Sequence, residues 1–346
     1  MNPPRTHDPE FRRDPVTGRW VIVAPERSQR PMQLEGAEPR HRVGKEVRPC
    51  PFCVGQERET PNEVYAIREP GTAADGPGWQ LRVVPNMFPA VRNATPHAER
   101  EDYVPSLFQS LPGSGRHEVV IESPEHLANP ALLPDELFRD VFIAYRERLI
   151  AHAADPALQY VSVFKNVGAE AGASLGHCHS QLVAMPLVPD LIQQELNGSK
   201  DHFARTGRCV FCDIVKEELA DGSRVVAETA NLLAVAAYAG RFSHETWVLP
   251  KHHASRFEGI SNELAAELAG LMKRLVRALD VVLAEPAYNW FLHAAPLRSP
   301  ELAEYHWHFE VMPRTSRPAG LEWGTGCFVN AVAPETAAEQ LRAAIM

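Results

Sequence analysis

The apolar residues of this chain fall mostly into short runs in which they alternate with polar residues, a pattern typical of β-strands. Two longer stretches instead repeat apolar residues at helical spacing and predict helices over residues 134–154 and 263–284. The predicted strands cover residues 20–24, 81–91 with a break at Asn86, 116–124, 160–164, 182–184, 243–250, 288–293 and 306–313. The 30 prolines among 346 residues agree with many fixed turns.

The order of these elements occurs twice. In each half a Cys-x-x-Cys pair precedes a strand with a histidine, a helix, another strand and a strand with a His-x-His motif. The spacing is nearly constant, because 127 residues separate His117 from His244 and 129 separate His177 from His306. Repetition at a fixed spacing indicates an internal duplication. We therefore divide the chain into units of residues 1–195 and 196–346.

Residues 166–181 form the most informative segment. Glycines at 168, 172 and 176 allow the backbone to approach a phosphate closely, and an apolar run lies on each side of this loop. In an extended segment His177, His179 and Gln181 point the same way, because side chains alternate between the faces of a strand. One imidazole can then attack phosphorus while an amide hydrogen-bonds the phosphoryl oxygens. The alternative is a polar strand edge with two unrelated histidines.

The second half lacks this combination. Residues 295–300 replace the glycine-rich loop, and Glu310 stands where the first half has Gln181. A carboxylate would repel a phosphate. The sequence therefore predicts that the first half holds the chemistry and that His308 is a structural relic of the nucleophile position.

The cysteines predict metal sites. Two of the six cysteines stand alone, and the other four form two Cys-x-x-Cys pairs, which favour zinc over disulfides in a chain without an export signal. Zinc takes two thiolates and two imidazoles in a tetrahedral site. Aligning the halves assigns Cys50, Cys53, His117 and His177 to one site, and Cys209, Cys212, His244 and His306 to the other. The histidine ligands stay open, because His97, His126, His252, His253 and His293 are also available.

Charge and hydropathy exclude several classes of function. The formal net charge of −9 argues against a nucleic-acid partner, which usually calls for a basic patch. No apolar run approaches the roughly 20 residues of a membrane span, and residues 1–8 do not resemble a signal peptide, so we expect a cytoplasmic protein.

Arg27 and Arg30 follow the first long strand and are either a pair of anion contacts or part of a solvated loop.

The glycine loop with His177-Cys-His-Ser-Gln181, the repeated His-x-His motif, and Asp14-Pro-Val-Thr-Gly-Arg-Trp20 with Arg27 and Arg30 resemble the galactose-1-phosphate uridylyltransferase family. This family is a branch of the histidine-triad superfamily, and the resemblance covers roughly residues 10–340. It implies an α+β fold of two fused histidine-triad-like units, each an antiparallel sheet with packed helices. It also implies a homodimer with active sites near the interface.

The resemblance further implies a ping-pong reaction through a covalent nucleotidyl-histidine. His179 would attack the α-phosphorus of a nucleotide sugar such as UDP-glucose and expel a sugar 1-phosphate, after which an acceptor sugar phosphate takes the nucleotide. The residues that the resemblance assigns to the phosphoryl group are Gln181 and Ser174, and those for the nucleotide side are Asn166, Arg27, Arg30, Asn86 and Phe88.

Two departures from the better-known enzymes leave the substrates open. Cys178 and Ser180 replace a proline and a glycine, and residues 321–330 lack the Tyr-Glu pair that contacts the hexose. These features, with the second Cys-x-x-Cys pair, resemble the branch that includes ADP-glucose phosphorylase, in which inorganic phosphate is the acceptor. In the better-known enzymes Glu and His hold the second metal. In this chain the second metal could be iron instead of zinc. The reserve ligands here are Glu195, His293, His306 and His308.

The hypotheses are therefore three. The first is a UDP-glucose:hexose-1-phosphate uridylyltransferase, and the second is an ADP-glucose phosphorylase or related adenylyltransferase. The third is a zinc-organised protein that binds nucleotides without turnover, for which an intact His-x-His-x-Gln motif after a phosphate loop is unexpected.

Overall fold

The computed structural model describes residues 9–29, 50–93, 107–108 and 111–345. Arg30 and His97 lie outside these residues. The strands are β1 (Glu10–Arg13), β2 (Trp20–Val23), β3 (Tyr65–Arg68), β4 (Trp79–Pro85), β5 (Arg116–Ile121), β6 (Tyr160–Val167), β7 (His179–Met185), β8 (Val225–Glu228), β9 (Leu232–Ala236), β10 (Thr246–Pro250), β11 (Tyr288–His293), β12 (His308–Pro313) and β13 (Phe328–Asn330).

Six α-helices accompany these strands in the described part of the chain. They are α1 (Asp135–Ala153), α2 (Asp190–Thr206), α3 (Val210–Asp221), α4 (Asn262–Leu283), α5 (Gly320–Thr325) and α6 (Pro334–Ala344). Helices α1 and α4 confirm the two that the apolar spacing predicts. The boundaries of α4 have local causes, because the Ser261 hydroxyl accepts from the Leu264 backbone N–H and Ala284 ends the helix in a left-handed conformation.

Ten strands of the described residues form one antiparallel sheet in the order β3-β4-β5-β7-β6-β11-β12-β10-β9-β8. The two halves meet at the centre, where Asn166 of β6 pairs with Asn289 of β11. The protein therefore has the predicted α+β fold with a large antiparallel sheet. The strand order is symmetric about the β6–β11 pair. The internal duplication and its boundary between residues 195 and 196, which falls inside α2, stay predictions.

Strand alternation separates the two faces of this sheet. On β9, Leu232, Ala234 and Ala236 pack into the main core with α1 and α4, whereas Leu233 and Val235 pack against α2 and α3. In the first half, Leu182 and Ala184 of β7 likewise enter the main core. The odd-numbered residues of β7 consequently lie on the opposite face, where the candidate site is built.

A second, three-stranded sheet has the order β1-β2-β13. It joins the two ends of the described chain, because β13 pairs in parallel with β2 and places Asn330 opposite Val23. A 3₁₀-helix, Pro25–Gln29, follows β2 directly and carries Arg27. None of the helices in the described residues combines the length and hydrophobicity that a membrane crossing requires.

Candidate active site and metal clusters

Strand β7 places the predicted nucleophile and amide on one face of the sheet. His179 lies opposite Ile121 of β5, and Gln181 lies opposite both Val119 of β5 and Phe164 of β6. Because directly paired residues of antiparallel strands point to the same side, these side chains share one face. His179 and Gln181 are thus adjacent on this face, two positions apart.

The hydrogen bond of His179 determines which ring nitrogen is free. Its Nδ1 lies 2.7 Å from the backbone oxygen of His177, and a carbonyl can only accept, so Nδ1 carries the proton and donates. In the neutral ring Nε2 then holds a lone pair. Burial lowers the pKa of His179, whose residue is only 7% exposed, and this favours the neutral form. The geometry therefore presents Nε2 as a nucleophile at neutral pH.

A buried ion pair supports the backbone of His179 from the other face. Lys165 of β6 donates to the His179 carbonyl oxygen at 3.1 Å and to the Glu122 carboxylate at 2.5 Å. The Ser180 hydroxyl donates to the second oxygen of Glu122, and the Tyr145 hydroxyl donates to Ser180 at 2.6 Å. This network fixes the nucleophile strand to α1 and β6. The motifs of the sequence did not predict this network.

The carboxamide of Gln181 contacts two side chains at the edge of the same face. Its Oε1 lies 2.8 Å from His117 Nε2 and 3.4 Å from Asn86 Nδ2. Asn86 stands just after β4, where the strand prediction had its break, and its Oδ1 accepts from the Phe88 backbone N–H at 2.8 Å. Asn86 therefore contacts the Gln181 amide directly, whereas the Phe88 side chain is 85% exposed.

The glycine-rich loop runs between β6 and β7. Gly168 and Gly172 have φ angles of 83° and 89°, which residues other than glycine rarely adopt. Asn289 of the second half donates to Asn166 Oδ1 and to the Ala171 carbonyl, each at 2.8 Å, so it connects the start of the loop to β6. Ser174 lies exposed at the middle of the loop.

The remaining predicted contacts of the nucleotide lie at the surface or outside the described residues. Arg27 is exposed on its 3₁₀-helix, and Arg30 falls in the part of the chain that the structure does not describe. Neither the Arg27 nor the Phe88 side chain takes part in the hydrogen-bond network around Gln181.

The first cysteine pair gathers two histidines, one of which was not assigned to it. The cluster consists of Cys50, Cys53, His126 and His177. Nδ1 of His177 lies 3.7 Å from both sulfurs, and Nδ1 of His126 lies 3.5 Å from the Cys53 sulfur. Phe52, inside the Cys-x-x-Cys turn, packs edge-on against His179 with ring centroids 5.4 Å apart. The cluster therefore lies immediately behind the nucleophile.

His117 is not part of this cluster, and its assignment as a ligand is corrected to His126. On β5 it lies opposite Val183, whereas Ile121 lies opposite His179, the first residue of β7. At about 3.3 Å per residue these four residues span roughly 13 Å, and His177 lies before His179. The segment after β5 comes close to His177, because the Glu122 backbone N–H donates to the Cys178 carbonyl. His126 lies in this loop after β5.

The second cysteine pair forms an equivalent cluster of Cys209, Cys212, His253 and His306. The Cys209 sulfur lies 3.4 Å from His306 Nδ1, and the Cys212 sulfur lies 3.6 Å from His253 Nδ1. His244 is again the misassigned ligand. It precedes β10 in a turn with φ of 64°, and its Nε2 lies 2.7 Å from Gln340 Oε1.

Both clusters have the chemistry and spacing of a tetrahedral metal site. Zinc–sulfur and zinc–nitrogen bonds of about 2.3 and 2.0 Å at tetrahedral angles place sulfur and nitrogen about 3.5 Å apart. In each cluster one histidine turns its Nε2 to a carbonyl, His177 to Ser123 and His253 to Leu302, which leaves Nδ1 for a cation. Burial raises the pKa of the Cys209 thiol to about 12, so its thiolate form calls for a bound cation. The residues could therefore hold metal ions.

A third cluster comprises Glu195, His293, His308 and Glu310, all of them buried. It overlaps the reserve set, but His306 belongs to the second cysteine cluster and Glu310 takes its place. His308 is fully buried, and the Glu310 carboxylate pairs with the Arg241 guanidinium. Strand β12 is therefore buried along its whole length, whereas Gln181 and Val183 of β7 are partly exposed.

Comparison with known proteins reveals related chains. Residues 4–189 match the family model described as "Galactose-1-phosphate uridyl transferase, N-terminal domain", and residues 135–346 match a domain of unknown function. An ADP-glucose phosphorylase from Arabidopsis thaliana is 36% identical, covering 96% of this chain and 92% of the relative. A galactose-1-phosphate uridylyltransferase from Haemophilus influenzae is 30% identical, covering 91% and 86%.

Solved structures agree with these matches. The Arabidopsis ADP-glucose phosphorylase with bound ADP-glucose superposes with a TM-score of 0.81 at 36% identity, covering 97% of this chain and 99% of that chain. A uridylyltransferase structure superposes with a TM-score of 0.74 at 29% identity, covering 97% and 98%.

Proposed function

The chain belongs to the galactose-1-phosphate uridylyltransferase family, and from this premise we propose that it transfers a nucleotide from a nucleotide sugar through a covalent intermediate on His179. The observation that carries the proposal is the hydrogen bond from His179 Nδ1 to the His177 carbonyl, which leaves Nε2 as the nucleophile. The similarity to both a uridylyltransferase and an ADP-glucose phosphorylase supports this class of enzyme.

The first half-reaction forms one bond and breaks one. Nε2 of His179 attacks the α-phosphorus, the bond from this phosphorus to the bridging oxygen breaks, and the sugar 1-phosphate leaves with the electron pair. The ring keeps its Nδ1 proton and gains positive charge, which the His177 carbonyl stabilises. Gln181 and Ser174 donate to the phosphoryl oxygens. In the second half-reaction a phosphate oxygen of the acceptor attacks phosphorus and the P–N bond breaks, which regenerates the neutral ring.

The metal clusters have a structural task in this scheme. Zinc would be held by Cys50, Cys53, His126 and His177 at the first site and by Cys209, Cys212, His253 and His306 at the second. A bound zinc ion supplies a fixed cross-link between loops. His177 itself presents the carbonyl that orients the His179 ring, so the first cluster positions the nucleophile. Iron at the second site is the alternative.

The first candidate substrates are UDP-glucose as the nucleotide donor and a hexose 1-phosphate as the acceptor, because uridylyltransferases resemble the chain over most of its length. A second candidate pair, ADP-glucose with inorganic phosphate, is favoured by the C-terminal segment. Glu322 there follows Leu321 rather than a tyrosine, and its carboxylate accepts from the Ala319 backbone N–H at 2.9 Å at the start of its own helix. The homodimer and the cytoplasmic location stay predictions.

An exchange assay tests this function. A ping-pong enzyme exchanges labelled glucose 1-phosphate into the nucleotide sugar with no acceptor present, and we expect such exchange with UDP-glucose or with ADP-glucose. His179→Ala should abolish it. Adding galactose 1-phosphate or phosphate in separate reactions then identifies the acceptor. Tight nucleotide binding without exchange would favour a non-catalytic binding protein, and full exchange by the His179→Ala variant would contradict the mechanism.

A further inference from the structure

His117, once it is removed from the metal cluster, lies beside the catalytic amide. On the face that carries His179, His117 of β5 is the diagonal cross-strand neighbour of Gln181 of β7, because Val119 stands directly opposite Gln181. Long side chains reach one another across such a diagonal. Accordingly, His117 Nε2 lies 2.8 Å from Gln181 Oε1.

Backbone donors determine the tautomer of His117. The Ala90 backbone N–H points at His117 Nδ1 over 3.0 Å, and a backbone N–H can only donate. Nδ1 is therefore the acceptor, and Nε2 of the neutral ring carries the proton. It follows that Nε2–H donates to Gln181 Oε1.

Asn86 places a second amide nitrogen beside His117 and Gln181. Its Oδ1 accepts from the Phe88 backbone N–H, which identifies the other atom as the amide nitrogen. This nitrogen lies 3.2 Å from His117 Nε2 and 3.4 Å from Gln181 Oε1, so with Nε2 protonated the two nitrogens lie side by side as donors toward the same oxygen. Both donors converge on the oxygen of Gln181, so the two ends of its carboxamide are distinguished and the NH₂ end is turned away from them.

We propose that His117 is a positioning residue that fixes the Gln181 carboxamide so that its NH₂ group, and not its oxygen, faces the phosphoryl group under transfer. The inference rests on the proposed function of His179. A flipped amide would direct its oxygen at phosphoryl oxygens and replace an attraction by a repulsion. His117 acts on the reaction only through Gln181.

Two substitutions separate the two hydrogen bonds of His117. In His117→Asn the side-chain oxygen can still accept from Ala90 at the place of Nδ1, but nothing reaches Gln181. In His117→Gln the terminal NH₂ group takes the place of Nε2 and donates to Gln181. We expect the single-turnover rate constant for adduct formation to fall about 10- to 100-fold in His117→Asn and to stay within about threefold of wild type in His117→Gln. KM for the nucleotide sugar should change little.

A double-mutant cycle tests whether the effect passes through Gln181. In a Gln181→Ala background, His117→Asn should cause no further loss of rate. Equal rates in wild type and His117→Asn, equal losses in both His117 variants, or additive losses in the cycle would each overturn the proposal. Absence of any adduct in the wild-type protein would instead contradict the proposed function.

The tautomer is a separate measurement that needs no change in activity. In ¹⁵N-histidine-labelled wild-type protein at pH 8, with the signal assigned by comparison with His117→Gln, the His117 ring should show a protonated Nε2 and an unprotonated Nδ1. The opposite tautomer would overturn the proposal even if His117→Asn failed to fold.

Discussion

Replacing Lys165 by methionine tests whether the buried ion pair behind the nucleophile stabilises the fold. Lys165 and Glu122 have side chains that are 1% and 0% exposed, and their charged atoms lie 2.5 Å apart. Methionine fills a similar volume but leaves the Glu122 carboxylate buried with the Ser180 hydroxyl as its remaining donor. The His179 carbonyl loses the Lys165 donor in the same step.

The expected loss is large because an unpaired charge remains in the core. Removing one partner of a buried ion pair costs about 3–5 kcal/mol. An unfolding entropy of about 2.1 cal/mol/K per residue gives roughly 0.7 kcal/mol/K for a chain of 346 residues. If the chain unfolds in one transition, the midpoint should therefore fall by about 4–7 °C.

Denaturant unfolding and calorimetry measure this loss directly. The matched control is Lys251→Met, because Lys251 pairs with Glu228 at 2.7 Å with side chains that are 20% and 47% exposed. Such a surface pair contributes at most about 1 kcal/mol. The double variant Lys165→Met/Glu122→Gln should recover much of the loss, since it removes the stranded charge and leaves an amide for Ser180.

A loss of stability in Lys165→Met no larger than that in Lys251→Met would refute the stabilising role of the buried ion pair. A double variant as unstable as Lys165→Met would show that the unpaired carboxylate is not the cause of the loss.

Three further predictions concern the metal sites and the response to acid. His126→Ala should lower the bound zinc by about one ion per chain in elemental analysis, whereas His117→Asn should not; equal zinc contents would contradict the assignment. Chelation should lower the melting temperature together with activity, and unchanged melting after complete zinc loss would exclude a structural role. Burial alone would raise the pKa of the Glu118 carboxyl group. The pairs with His152 and Arg148 outweigh this effect, so the pKa of Glu118 lies below its ordinary value. Its contribution to stability is present above the unfolded pKa of about 4.3 and is lost as pH falls through the folded pKa. Glu118→Gln should therefore flatten the decline of stability in acid, and an unaltered decline would refute this assignment.

The features predicted well from sequence depend on local periodicity. The helices α1 and α4 follow from apolar spacing, and the shared face of His179 and Gln181 follows from alternation along one strand. The resemblance to the family rests on short motifs of the same kind, and the comparisons bear it out. Such features need no knowledge of which distant segments meet.

The third metal ligands could not be selected from spacing. Both His117 with His244 and His126 with His253 are separated by 127 residues, so the repeat fits either pair equally well. The strand register decides between them. It places His117 at the start of β5, away from His177, whereas the end of β5 and the loop after it lie close to His177. The Nδ1 contacts of His126 and His253 follow from that path.

The buried ion pair did leave a signal in the sequence. Val161, Val163 and Val167 of β6 all enter the main core, and Lys165 occupies the same phase of the alternation. A lysine at a core position of a strand indicates a buried partner. The identity of that partner, Glu122, depends on β7 lying between β5 and β6 and bringing Ser180 between them, which the pattern of one strand does not reveal.

The most direct test of the central claim is to locate the nucleotide on the protein. The wild-type protein is incubated with UDP-glucose or ADP-glucose without acceptor, quenched in alkali to preserve a phosphoramidate, digested and mapped by mass spectrometry. We predict that the peptide containing His179 gains the mass of one nucleoside monophosphate group, and that the His179→Ala protein gains none. A nucleotide on another residue, or turnover with no adduct on His179, would contradict the account.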